Sequence, residues 1–309
     1  MTNPNTNSVA AFIAANRELA ELITTEPGER IEALYVRSNT ERARLILRHK
    51  INELLIATGQ MDPPVNLYRV AARCGIRRIL RASIPIDGQI IKDGENYDIE
   101  LRASAPRRRQ RFSLAHELSH TFFLEHVPEL LRSRDQGAGG NSHWKAEEAL
   151  CNFGAAEFLM PPGPFLRDAL STGPSLDALE WLSNRWDVSR ETCVRRICEL
   201  NAWNVTFAIF RKTDTGYAPS AVINRDGTGS YQTSLHRHGS TLAKLISRGS
   251  PWQGYLRICL GGAAERYYCA ISSSEDGQFG YVMAILGLDA AELHRRSQVR
   301  VWQLRPPRG

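Results

Sequence analysis

The chain has 309 residues, 42% of them hydrophobic and 23% charged, the balance of a globular protein long enough for two domains. No run of about 18 apolar residues is present, so no membrane-spanning helix is expected, and six scattered cysteines without a CxxC pair argue against a disulfide scaffold or a structural cysteine zinc site and point to a reducing cytoplasm. The net charge of +6 permits contact with nucleic acid or an acidic partner without requiring either.

Residues 1–38 read as a polar tail and an amphipathic helix rather than a signal peptide. In 39–59, apolar side chains at 43, 47, 51, 54 and 55 predict a helix, with Asn39 or Thr40 capping its start and Gly59 its end. A proline turn follows at Pro63 and Pro64, then a short helix from about Asn66 to Gly75. IRRILRA, GQIIKDG and YDIELRA read as strands, and the turns IPIDG and KDGEN between them suit hairpins. Residues 103–111, ASAPRRRQR, read as a basic loop leading into the helical stretch FSLAHELSHTFFLEH.

After a glycine-rich loop at 132–142, a second helix is expected from about Trp144 to Leu159, stopped by Pro161 and Pro162. Residues 175–200 suggest helix, turn, helix around Asp187, Val188 and Ser189. From about Trp203 the texture becomes strand-like in NVTFAIFR, GYAPSAVI, GYLRICL, ERYYCAIS and GQFGYVMAIL, with one helix, STLAKLIS, among them. The expected organisation is α+β: an N-terminal tail and helix (1–38), a catalytic-type domain (39–170), a helix-turn-helix-like segment (171–202) and a sheet-rich C-terminal domain (203–309).

The chemistry centres on an HExxH, His116, Glu117 and His120. Helical residues four apart share a face, so both imidazoles can address one ion with Glu117 beside it. The flanks Phe112, Leu114, Ala115, Phe122, Phe123 and Leu124 mark a core helix, where bare histidines are costly unless they line a cleft or bind metal. A catalytic zinc takes three protein ligands and keeps one open position. His126 has the right count for a third ligand in an H-E-x-x-H-x-x-G-x-x-H pattern, but Phe123 stands where that pattern turns on glycine. A continued helix rotates His126 by about 600° from His120 at ~100° per residue, off the metal side. The second helix offers Glu148, with Asn152 one turn on to orient a ligand histidine. Glu147 is its rival, since adjacent helical residues point about 100° apart and one of the two can face the ion.

RFSLAHELSH (111–120) together with EALCNFGAAEFLMP (148–161) resembles the ImmA/IrrE family of metallopeptidases, over about residues 40–200. The resemblance implies a zincin-like fold, a Zn²⁺ cofactor, Glu148 rather than Glu147 as third ligand, and Glu117 as general base. It also implies a substrate class: site-specific cutting of a helix-turn-helix transcriptional repressor, which relieves repression in stress or mobile-element control. Two positions depart from the family pattern. Ser119 replaces a usual glycine, and Gly154 stands where phenylalanine is common.

Other residues have weaker claims. His143, just before the Glu148 helix, is a candidate oxyanion donor. The YDIELRA strand, if at a sheet edge, can pair with extended substrate. Arg107–Arg111 are more readily a solvated run than a DNA contact. Trp181 and Trp186 turn the 175–200 pair toward packing or clasping a partner, with direct DNA contact less favoured. His236 and His238 form an HxH in a polar loop that favours no metal. Some family members carry a GAF-like sensor where residues 203–309 stand. The alternatives to a repressor-cutting enzyme are a non-catalytic, toxin–antitoxin-like partner that binds protein or DNA through the zinc fold, and a broad-specificity aminopeptidase.

Overall fold

A computed structural model of the chain describes residues 40–93, 96–124, 141–223, 239–259, 264–274 and 279–285. The expected N-terminal helix within 1–38, His126, and the His236–His238 pair lie outside the described residues. The described chain divides into two compact units. The first takes the residues up to Pro164 together with Arg185–Ser189, and the second takes Phe165–Asn184 and the residues from Arg190 on.

In the first unit, α1 (Thr40–Thr58) buries Leu47, Ile51 and Leu55, one residue per turn on a single stripe. Gly59 follows at φ 66°, a left-handed geometry suited to glycine beyond a helix end. The side chain of Asn66 caps α2 (Leu67–Ala71), accepting from the amides of Tyr68 and Arg69. Three strands follow: β1 (Ile76–Ala82), β2 (Gly88–Asp93) and β3 (Asn96–Arg102). They stand in the order β1-β3-β2, with β1 parallel to β3 and β2 antiparallel to it. Two expectations change here. IPIDG is a crossover rather than a hairpin turn, because β1 and β2 are not neighbours. The YDIELRA strand is central, so its backbone is already paired on both sides and cannot receive a substrate strand; β2 and β1 form the edges.

Two longer helices complete this unit, α3 (Arg107–Leu124) and α4 (Asn141–Leu159), which pack on each other. Residues 107–111 are the first turns of α3 rather than a loop, and their arginines are occupied. Arg107 and Arg111 bridge to Asp187 at 2.6 and 3.1 Å, and Arg109 bridges to Asp87. Asp187 adopts φ 52° and is nearly buried, so three cationic neighbours, Arg107, Arg108 and Arg111, stabilise a carboxylate that burial alone would destabilise. Between α1 and α4, Arg48 meets the buried Glu157 at 2.8 Å and lies over the Phe153 ring.

The second unit takes from Phe165 on the helix α5 (Pro162–Thr172), absent from the sequence expectations, whose first residue is a proline in the position that tolerates one. Next come α6 (Leu176–Trp186), in this unit up to Asn184, and α7 (Arg190–Glu199). Trp186 at the end of α6 is fully buried, while Trp181 is exposed at 37%. Trp203 donates its indole N–H to the carbonyl of Ala169. Beyond them β4 (Val205–Thr213), β5 (Gly216–Ile223), β6 (Trp252–Cys259), β7 (Ala264–Ser273) and β8 (Phe279–Ile285) form an antiparallel sheet in the order β5-β4-β8-β7-β6. The helix α8 (Gly239–Ile246) buries Leu242 and Ile246 against Ala208, Phe210, Ile271 and Val282 of that sheet. Gly280 permits this packing, since a Cβ there would lie 2.4 Å from Ile246 Cγ2. No helix among the described residues is long and apolar enough to cross a membrane.

Candidate metal centre

The site begins with close approach of two rods. Where α3 meets α4 beside the site the approach is tight: a Cβ on Gly154 would lie 2.4 Å from Ser119 Oγ and 2.9 Å from Ser119 Cβ. Ser119 and Gly154, the two departures from the family pattern, therefore touch. A larger residue on α3 is matched by a smaller one on α4, and the helix separation is kept. The buried Ser119 hydroxyl is satisfied by donating to the Ala115 carbonyl at 2.9 Å.

This separation brings three side chains to one point. His116 Nε2 and His120 Nε2 lie 3.2 Å apart. Glu148 reaches both, Oε2 at 3.2 Å from His116 Nε2 and Oε1 at 3.5 Å from His120 Nε2. The far nitrogen of each ring is also occupied. His116 Nδ1 lies 3.2 Å from Asn152 Oδ1, and His120 Nδ1 lies 2.8 Å from Glu147 Oε1. In the tautomer whose Nδ1 donates to Asn152 Oδ1 or Glu147 Oε1, each neutral imidazole presents a bare Nε2 lone pair to the shared point. Two lone pairs and a carboxylate converging so closely repel unless a cation or a proton sits among them. The donor set, two nitrogens and one oxygen, is one that Zn²⁺ accepts. Burial pushes the His116 imidazole down, but the hydrogen bond to Glu148 and the charges of Glu117 and Glu148 outweigh it, and its pKa lies above the ordinary value.

The adjacent pair Glu147 and Glu148 thus splits between two positions. Neighbouring helical residues diverge by about 100°, and the two histidine rings stand at a steep interplanar angle of 72°. One carboxylate therefore meets the Nε2 side and the other meets the Nδ1 side of His120. Treating Glu147 only as a rival ligand missed this; the repeated four-residue spacing, 147 with 151 and 148 with 152, was the available signal. Cys151, fully buried, lies with Glu147 near His120 in a second group of ligand-type atoms. Glu117 is 4% exposed and faces β2. His143 falls inside α4 rather than before it, and its side chain is outside the described residues.

Residues 77–197 match the family described as Peptidase_M78, IrrE N-terminal-like domain. This segment belongs to the ImmA/IrrE family. Within it, 118 residues are 36% identical to the radiation response metalloprotease IrrE of Deinococcus deserti and 33% identical to that of Deinococcus radiodurans. Each match takes in 38% of this chain, and it spans about two fifths or less of the relative, 41% and 35%. Among solved structures, a transcriptional regulator from Mycobacterium tuberculosis superposes over 81% of this chain and 90% of its own, with a TM-score of 0.51 and 14% identity, a likeness of fold. The ImmA/IrrE segment contains every side chain of the candidate centre, from His116 on α3 to Asn152 on α4.

Proposed function

We propose that the chain is a zinc-dependent endopeptidase that makes one cut in a helix-turn-helix transcriptional repressor. The observation that carries the reading is the convergence of His116, His120 and Glu148 with both outer ring nitrogens held, beside a buried Glu117. The ligands would be His116, His120 and Glu148, in an α+β domain of zincin-like architecture. Bound there, Zn²⁺ would supply Lewis acidity toward the scissile carbonyl and toward an attacking water.

The chain's own residues do the rest. Asn152 and Glu147 hold the imidazoles in the tautomer that turns Nε2 inward, and they keep the rings from rotating. Glu117 takes a proton from water at its carboxylate and returns it to the nitrogen of the departing amine. Its burial excludes bulk water from that transfer. The repressor as substrate follows from the family resemblance and from the metalloprotease relatives, whose own role is in the radiation response. In this reading α6 and α7 clasp the partner more than they read DNA, and the antiparallel sheet with α8 on one face supports a sensory, GAF-like C-terminal domain.

The test incubates the purified chain, with and without Zn²⁺, with the helix-turn-helix protein encoded beside it. A single new pair of fragments, absent in Glu117→Gln, is the expected outcome. An intact repressor held in a stable complex or shifted on DNA sinks the enzyme and favours a binding regulator. Turnover of short peptides or casein with no cut in the repressor sinks the stated specificity.

A further inference from the structure

Strand β2 opens with Gly88, which Asp87 precedes, and neither residue has a part in the metal centre. Gly88 has no left-handed backbone, so the absence of a side chain there serves space rather than conformation. It pairs with Leu101 of β3, so a Cβ would point to the sheet face that α3 covers. That Cβ would lie 3.1 Å from Glu117 Oε1, 3.2 Å from Glu117 Cγ and 3.4 Å from Leu101 Cδ2. The Glu117 side chain thus lies against bare backbone, so close that a side chain at position 88 would require it to shift by a few tenths of an ångström.

The wall itself is anchored. Asp87 bridges to Arg102 of β3 and to Arg109 of α3, with Arg109 Nε donating at 2.7 Å. Its carbonyl also accepts from the Arg102 amide at 3.1 Å. Arg109 stands eight residues before Glu117 on the same helix. The clamp therefore ties the start of β2 to the element that carries the base, and it fixes the distance between Gly88 and Glu117. This accounts for Arg109, which the sequence reading left in a solvated run.

We propose that Gly88 is a positioning residue for Glu117, with the Asp87–Arg102–Arg109 clamp holding it in place. The proposal rests on the reading of Glu117 as the general base. Reacting groups moved by about 1 Å lose roughly 10²-fold in rate, and an added methyl requires a shift of a few tenths of an ångström. Gly88→Ala is expected to lower kcat about 10-fold with KM, Zn²⁺ content and melting temperature near wild type. Its crystal structure should show the Glu117 carboxylate displaced from β2. Glu117→Asp, one methylene shorter, should cost less in the Gly88→Ala background than in the wild type, because the crowding is then relieved. Asp87→Asn, which keeps Gly88, should lower kcat about 3-fold and serves as the second variant where Gly88→Ala does not fold.

An unmoved Glu117 with unchanged kcat, or independent effects of the two substitutions, overturns the proposal. An unchanged kcat in a folded Asp87→Asn overturns the clamp. If wild-type protein binds Zn²⁺ but cuts nothing, the peptidase reading fails on its own. The crystallographic displacement then decides the positioning claim separately.

Discussion

The α3–α4 pair and the β4–β8 sheet with α8 stabilise themselves in opposite ways. The sheet unit packs Ala208, Phe210, Leu242, Ile246, Ile271 and Val282 into an apolar core. Its buried Cys269 has a thiol pushed up to about 12 by burial, and Cys198 on α7 sits at about 11 for the same reason. These are closed thiols that behave as small hydrophobes. The helix pair instead buries His120, Glu117 and Ser119 in its centre. Burying polar groups opposes stability unless something meets them, and here each ring has a partner on both nitrogens. One region relies on apolar packing, and the other holds a fixed polar geometry within its packed core.

The largest expected effect would break this contrast at its centre. Glu117→Gln should lower cleavage by about 10²–10⁴-fold, the range a positioned acid–base group supplies, while Zn²⁺ stoichiometry stays at wild type. Glu148→Ala should lose the metal itself, read by elemental analysis of the pure protein. Chelation of the wild type should lower its melting temperature, because a ligand bound only to the native state stabilises it. Next come the outer partners. Glu147→Gln and Asn152→Ala should each weaken Zn²⁺ affinity about 10- to 100-fold by competition with a chelating dye. Wild-type affinity in both would remove the claim that these residues fix the rings.

Two glycines sharpen the comparison at a smaller scale. Gly280→Ala should destabilise the sheet unit by about 1–3 kcal/mol through overpacking on Ile246, with metal affinity unchanged and partial recovery in Ile246→Ala. Gly154→Ala should cost a similar ~1–3 kcal/mol and also reduce metal affinity, because it pries α3 from α4. Ser119→Gly should restore both. Equal metal affinity in the two glycine variants would erase the distinction between the units.

The smallest effect is a pH dependence. Arg78 and then Arg77, hydrogen-bonded to Asp98 on β3, hold its carboxyl down at about 2. A carboxyl depressed by folding adds stability that is full above its unfolded value of about 3.9 and is lost as pH falls through the folded value. Asp98→Asn should therefore flatten the acid side of the stability curve between about pH 4 and pH 2, measured by urea unfolding at each pH.

Much of the centre is legible in the chain. A four-residue spacing on a helix is a local fact, so His116 and His120 share a face whatever surrounds them. The same holds for Glu148 with Asn152, and for the β-branched and aromatic runs that mark β4, β7 and β8. The departures at Ser119 and Gly154 were visible too, but not that they meet. Three readings went astray for one reason. IPIDG as a hairpin turn, YDIELRA as an edge strand and Arg107–Arg111 as a loop each needed knowledge of a distant neighbour. β1 reaches past β2 to pair with β3, and Asp187 and Asp87 claim the arginines from 80 and 22 residues away.

By itself the sequence determined the helical histidine pair, the family of the central segment and the strand-rich character of the C-terminal region. All of these are set by residue type and short-range period. Only the tertiary structure decided that Glu147 meets the outer nitrogen of His120, which strand lies at the edge, and that a glycine on β2 makes room for Glu117. Those outcomes depend on the separation and rotation of elements brought together from far along the chain, and no local pattern encodes a distance between them.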